Sequence, residues 1–134
     1  MIEQTFRALS DRTRLRILHF LRGGELCVGD LVQLLAVPQP AASRHLATLR
    51  KTGLVTVRRD GLWCFYSLAI PPSPFHRRLR DSLHAGLDAD PELKEDSRRA
   101  AGRRGAGGCC PGQSRRASGA AQARATVPGE RRRE

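Results

Sequence analysis

The stretch from Gln39 to Leu68 constrains the fold of this 134-residue chain more than any other. It reads Q-P-A-A-S-R-H-L-A-T-L-R-K-T-G-L-V-T-V-R-R-D-G-L-W-C-F-Y-S-L, an amphipathic helix followed at once by a two-stranded ribbon. Pro40 suits a first helical turn, where its missing N–H costs nothing. Ala42, Leu46 and Leu49 recur at helical spacing and face a core. Ser43, Arg44, His45, Thr48, Arg50 and Lys51 occupy the other side, all hydrogen-bonding or cationic. A helix face rich in donors and poor in carboxylates is built to meet something negative. Gly53 ends the helix, Leu54 to Val57 begins an extended run, and Asp60-Gly61 marks a tight turn beside Arg58 and Arg59. The pattern is a recognition helix with a basic wing.

The flanking segments extend it. Ile2 to Leu9 reads as a short helix with Ile2, Phe6 and Leu9 on one side. Ser10 or Asp11 caps the next helix, whose buried stripe is Leu15, Leu18 and Leu21 and whose Arg12, Arg14, Arg16 and Arg22 face out. Gly23-Gly24 stops it. A third helix, Val28 to Ala36, buries Leu31, Leu34 and Leu35, and Val37-Pro38 makes the tight turn of a helix-turn-helix. Pro71-Pro72-Ser73-Pro74 is a stiff connector. Phe75, Leu79, Leu83 and Leu87 then form an apolar stripe with little left to cover in so small a domain, so a partner is expected there. Asp90-Pro91-Glu92 starts a further short helix running to Ala100.

Residues 1–99 are therefore expected to form one domain. From Ala100 onward the chain has no Leu, Ile, Phe, Tyr or Trp and one Val. It cannot bury enough area to offset ordering entropy, and 100–134 reads as a disordered Arg/Gly/Ala-rich tail carrying Cys109-Cys110. The formal net charge is +11, of which the segment 1–99 carries +5 and the tail +6. A basic balance that coincides with a recognition-helix pattern favours nucleic acid. No apolar run reaches membrane-spanning length and no leader pattern opens the chain, which implies no membrane and a cytoplasmic protein. Four cysteines in that setting read as thiols rather than a disulfide framework. No nucleophile–base set, phosphate-cradling loop or carboxylate pair is present, which argues against an enzyme.

Several strings together carry a family likeness: L-S-D-R-T-R-L-R-I-L from Leu9, E-L-C-V-G-D-L from Glu25, S-R-H-L from Ser43, G-L-V from Gly53 and G-L-W from Gly61. In order and without a large gap, over roughly residues 2 to 95, the chain resembles the arsenic-sensing branch of the ArsR/SmtB winged helix-turn-helix repressors. The resemblance implies a mainly α fold with a small β-wing, and a homodimer formed by the first and last helices. It also implies double-stranded operator DNA as partner, no prosthetic group, and release by trivalent arsenic or antimony, As(III)/Sb(III), bound to cysteine thiolates. The same fold triggered by thiol oxidation or another thiophilic metal is the alternative. Two recognition helices of such a dimer sit about 34 Å apart, one duplex turn.

On that template Gln39, Ser43, Arg44 and His45 lie in the half of the recognition helix that enters the major groove. Arg44 suits a bidentate contact with guanine O6/N7, Gln39 suits adenine, and Ser43 suits a phosphate or base edge. His45 either touches a base or packs and caps. Arg58 and Arg59 in the wing suit phosphate or the minor groove.

The arsenic-sensing strings of the family read E-L-C-V-C-D-L. Here Cys27 is kept and Gly29 replaces the second thiol. Cys27 sits near a helix N-terminus, whose dipole favours thiolate. Adjacent Cys109 and Cys110 supply two sulfurs for a soft trivalent centre that takes three, and Cys27 is the candidate third. A stretch from Arg99 to Cys109 spans at most about 33–36 Å, which leaves closure within or across subunits open. Alternation along the second wing strand puts Leu62, Cys64, Tyr66 and Leu68 on a core face, so Cys64 is expected to be structural. Zinc-sensing relatives use Asp/His and His/Glu pairs; Asp81 and His84 lack a second downstream His, so no zinc site is expected.

Overall fold

Helix-forming and turn-forming signals alternate along the chain, and the computed structural model, which describes residues 2–105, follows them closely. The helices are α1 (Ile2–Leu9), α2 (Arg12–Leu21), α3 (Val28–Leu35), α4 (Gln39–Lys51), α5 (Pro74–Asp88) and α6 (Pro91–Gly105). The strands are β1 (Leu26–Cys27), β2 (Val55–Asp60) and β3 (Trp63–Leu68). This is a mainly α fold with a small antiparallel wing. Caps explain several of its boundaries. The Asp11 side chain accepts from the Arg14 amide and starts α2, and Ser73 does the same for His76 at α5. Gly53, at φ 76°, closes α4: its N–H donates to Arg50 and that of Leu54 to Leu49, the reciprocal pair of a Schellman ending.

One core serves all helices. Ile17, Phe20 and Leu21 of α2 pack with Leu31 and Leu34 of α3, Leu46 and Leu49 of α4, Val55 and Ala100. The stripe expected on α4 is the one observed, Ala42, Leu46 and Leu49 all being buried. On α2 the buried side is broader than Leu15, Leu18 and Leu21: Ile17, Leu18, His19, Phe20 and Leu21 are buried and Leu15 is only half-buried. The helix is gripped from two sides, by α3–α4 and by α6.

The wing has three strands rather than two, in the order β1-β3-β2. Leu26 lies opposite Tyr66, Cys27 opposite Phe65, and Arg58 opposite Phe65 from the other side. Residues directly opposite share a face, so Cys27, Phe65 and Arg58 line one side of the sheet while Tyr66 and Leu68 meet the main core on the other. The turn is Gly61-Leu62, one residue later than Asp60-Gly61, with Gly61 at φ 60°. Leu62 is consequently at the tip, fully exposed, and not on a core face. Cys64, one residue pair from the turn of the ribbon, is half-buried rather than buried.

The folded domain does not end at residue 99, because that boundary falls inside α6. The helix continues to Gly105, and Ala100 is fully buried in the main core. Its hold is polar as much as apolar, which the absence of large hydrophobics concealed. Arg12 bonds Asp90 at 2.9 Å and Arg16 bonds Asp96 at 2.8 Å. Ser97 Oγ lies 2.6 Å from His19 Nε2, and Arg99 donates to the Leu34 carbonyl at 3.1 Å. Arg104 donates to the Phe20 and Gly24 carbonyls. Arg14 and Arg16, expected to face out, are therefore part-buried; Arg14 Nε donates to the Ala8 carbonyl at 2.6 Å.

Candidate nucleic-acid interface and thiol site

Pro40 in the first turn and the buried stripe fix the rotation of α4. That rotation leaves Gln39, Ser43, Arg44, Ala47, Arg50 and Lys51 exposed on one continuous side. None of these residues makes an ion pair with the described residues. His45 is turned away from that side. Its Nδ1 lies 3.4 Å from Arg14 Nη1 and 3.8 Å from Asp11 Oδ1, against the start of α2. Of the two readings open for His45, the packing one describes its position.

The two wing arginines differ. Arg59 is exposed. Arg58 points back along the sheet: its guanidinium stacks 4.3 Å from the Phe65 ring centroid and its Nε donates to Glu25 at 3.1 Å. The Glu25 hydrogen bond holds its charged form above the usual arginine range. An arginine fixed by a carboxylate and an aromatic face is spent within the fold, so Arg58 drops out of the outward-facing set.

Cys27 is not a loosely placed thiol. It is fully buried, packed with Phe65, and it is the N-cap of α3. Its sulfur accepts from the Asp30 amide at 3.4 Å and its S–H donates to Asp30 Oδ2 at 3.4 Å. Asp30 is fully buried too, and Arg103 of α6 donates to its Oδ1 at 3.1 Å. The residues missed at the sequence level are this Asp30–Arg103 pair. The signal was the spacing Cys27-x-x-Asp30, a cap followed three residues on by a carboxylate. Cys109 and Cys110 lie outside the described residues. Among the described residues no group of three His, Cys, Asp or Glu side chains is placed to hold a metal.

A helix-turn-helix with a three-stranded wing, an exposed cationic recognition helix and a capped thiol defines a class of small bacterial regulator, and the sequence matches that class. Residues 11–57 match the model of the bacterial regulatory protein arsR family. KmtR of Mycobacterium tuberculosis, an HTH-type transcriptional regulator, is 41% identical over 102 residues, covering 76% of this chain and 77% of that protein. The chain belongs to the arsR family. The arsenic resistance transcriptional regulator ArsR1 of Pseudomonas putida is 48% identical over 64 residues, 47% of this chain. The match spans only half the length of ArsR1. Among solved structures, the homodimeric winged helix-turn-helix domain Mb0332 of Mycobacterium bovis superimposes with a TM-score of 0.56 at 28% identity. It covers 67% of this chain and 81% of that one. No helix of the described residues is long and apolar enough to cross a membrane.

Proposed function

We propose that this protein is a cytoplasmic, homodimeric transcriptional repressor that binds operator DNA through α4 and the wing. Trivalent arsenic or antimony captured by its thiols releases it. The observation that carries the DNA reading is the outward side of α4. Gln39, Ser43 and Arg44 sit in its first half, exposed, with Arg59 exposed on the adjoining wing. Arg44 and Gln39 read base edges, Ser43 contacts a phosphate or base edge, and Arg59 contacts phosphate or the minor groove.

Dimerisation follows from apolar surface left over by the fold. Ile2 and Phe6 of α1 are each 51% exposed and Phe75 of α5 is 42% exposed. The far end of the α5 stripe is spent internally, since Leu87 is buried and Leu83 packs on the core. The remaining surface is available to a second copy, which would present two recognition helices to successive major grooves.

The inducer reading rests on the thiols and on the name of ArsR1. Cys27 lies at the start of α3, and Arg103 brings α6 to Asp30, three residues away. Cys109 follows Arg103 by six residues, a reach of about 20–22 Å at most. That favours a site closed by Cys27, Cys109 and Cys110 of one subunit. Three sulfur bonds suit a soft pyramidal centre and supply the several kcal/mol of differential binding that emptying an operator requires.

Fluorescence anisotropy on a duplex selected from a random library tests both parts. Tight binding that arsenite or antimonite reverses, and that zinc and peroxide do not, is expected. Binding by the Cys109→Ser/Cys110→Ser variant should persist while its arsenite response disappears. An unaltered arsenite response in that variant removes the proposed ligands.

A further inference from the structure

We infer that Arg103 is a positioning residue that keeps the Cys27 thiol closed. By holding Asp30, it makes the C-terminal end of α6 a same-subunit latch that must lift before a thiophile reaches Cys27. The biological meaning rests on the repressor reading, but the latch itself does not.

Three observations point to it. The thiol, the carboxylate and the guanidinium form one chain: Cys27 Sγ to Asp30 Oδ2 at 3.4 Å, then Asp30 Oδ1 to Arg103 Nε at 3.1 Å. Cys27 and Asp30 are both fully buried, whereas Arg103 is about one-third exposed, so the guanidinium forms the solvent end of the chain. A buried carboxylate is tolerated when a cation and hydrogen bonds compensate it; without them the α3 N-terminus admits water.

The second observation is how α6 is fastened. Arg99 holds the Leu34 carbonyl near the end of α3, and Arg104 holds the carbonyls of Phe20 and Gly24 behind it. Arg103 alone of these arginines reaches the residue that caps the thiol.

The third is a recess. A cavity of about 300 Å³ lies between α3 and α6, lined by Gln33, Leu34, Arg99, Gly102 and Arg103. The recess opens to solvent beside the latch, so a side chain displaced from Asp30 there meets water rather than a filled core. The α6 end can shift there without breaking the apolar packing of Leu93 and Ala100, both fully buried further back.

The test uses the full-length Cys109→Ser/Cys110→Ser chain, so that the two remaining thiols report. Iodoacetamide alkylation of Cys27 and Cys64 is timed separately by peptide mass spectrometry. Arg103→Gln is expected to speed Cys27 alkylation about 10- to 100-fold, the effect of removing one charge-assisted hydrogen bond to a buried group. Arg103→Lys should restore most of the protection. Cys64, next to Phe65 on β3 but on the opposite face of the sheet from Cys27, should keep its rate. Unchanged Cys27 reactivity in folded Arg103→Gln overturns the latch, as does a parallel rise at both thiols, which is general loosening.

Should Arg103→Gln not fold, native-state hydrogen exchange of the unsubstituted chain decides. The Asp30 amide is expected to exchange through an opening shared with the last turn of α6 and easier than that of the Leu46 amide. Equal protection at Asp30 and Leu46 overturns the proposal. Neither assay uses DNA or arsenite. A failed latch therefore leaves the repressor reading standing, and a repressor indifferent to arsenite leaves the latch standing.

Discussion

The outward side of α4 and the seam between α2 and α6 carry the same residue type with opposite chemistry. Arg44, Arg50 and Lys51 stand in solvent with no ion pair among the described residues. Across the seam, Arg12 meets Glu92 and, just before α6, Asp90, and Arg16 meets Asp96, while beside it Arg22 meets Asp88 at the end of α5. A net charge of +11 is therefore not one electrostatic footprint. Part of it glues helices together, and only the unmatched remainder can face a polyanion. The seam should fail by unfolding and α4 by losing DNA.

The largest expected effect is at the seam. Asp96 is 3% exposed and bonded by both nitrogens of the Arg16 fork. Arg16→Ala leaves that carboxylate buried beside Arg99 at 3.5 Å alone, which should cost about 3–5 kcal/mol. Chemical denaturation measures it, and a loss under 1 kcal/mol would make the seam mere surface decoration.

Next comes acid. His84 on α5 is buried near His19 and Arg22, with neither ring nitrogen hydrogen-bonded among the described residues. Burial first, then Arg22, Arg80 and His19, push its pKa down to about 4 against the pull of Asp88. The unfolded chain binds this proton below about pH 6.5 and the folded one only near 4. Stability should thus be complete above pH 6.5 and fall by up to about 3 kcal/mol between 6.5 and 4. His84→Gln should flatten that portion of the stability–pH curve. An unchanged slope would assign the acid sensitivity elsewhere.

On α4 the expectation inverts. Arg44→Ala should leave the melting temperature in place and relax base preference at one operator position by about 1–3 kcal/mol. A uniform loss over all sequences would show Arg44 to be a phosphate contact.

The contrast also separates what the sequence makes legible from what it hides. Helices α1, α3 and α4, the wing and the family strings are written in periodicity, caps and turns, which are local. Arg44 and Arg16 look alike in sequence, because their difference lies in carboxylates some 80 positions away for Arg16 and in none for Arg44. α6 was cut short for the same reason. Past Arg99 its anchors are Ala100 and two arginines, residues that carry no apolar pattern, and their partners are distant. Strand β1 is two residues long and exists only because β3 offers an edge, so no alternation announced it. His45 and Cys27 were placed on the right elements, but their inward neighbours Arg14 and Asp30 decide what they do.

The smallest effect discriminates most finely, because it compares adjacent residues on one strand. Arg58 is tied to Glu25 and stacked on Phe65, while Arg59 is exposed with Cys64 opposite it. If exposure decides which cations meet DNA, Arg59→Ala should weaken binding to all duplexes alike. It should also lower the slope of log K against log salt by about one unit per dimer half. Arg58→Ala should leave that slope alone and lower the melting temperature, since Glu25 loses the guanidinium and Phe65 its cover. Titrations at four salt concentrations and one thermal melt per variant suffice. Were the two substitutions to exchange roles, Arg58 would have to leave Glu25 on the operator, and Glu25→Gln would then tighten DNA binding by freeing it.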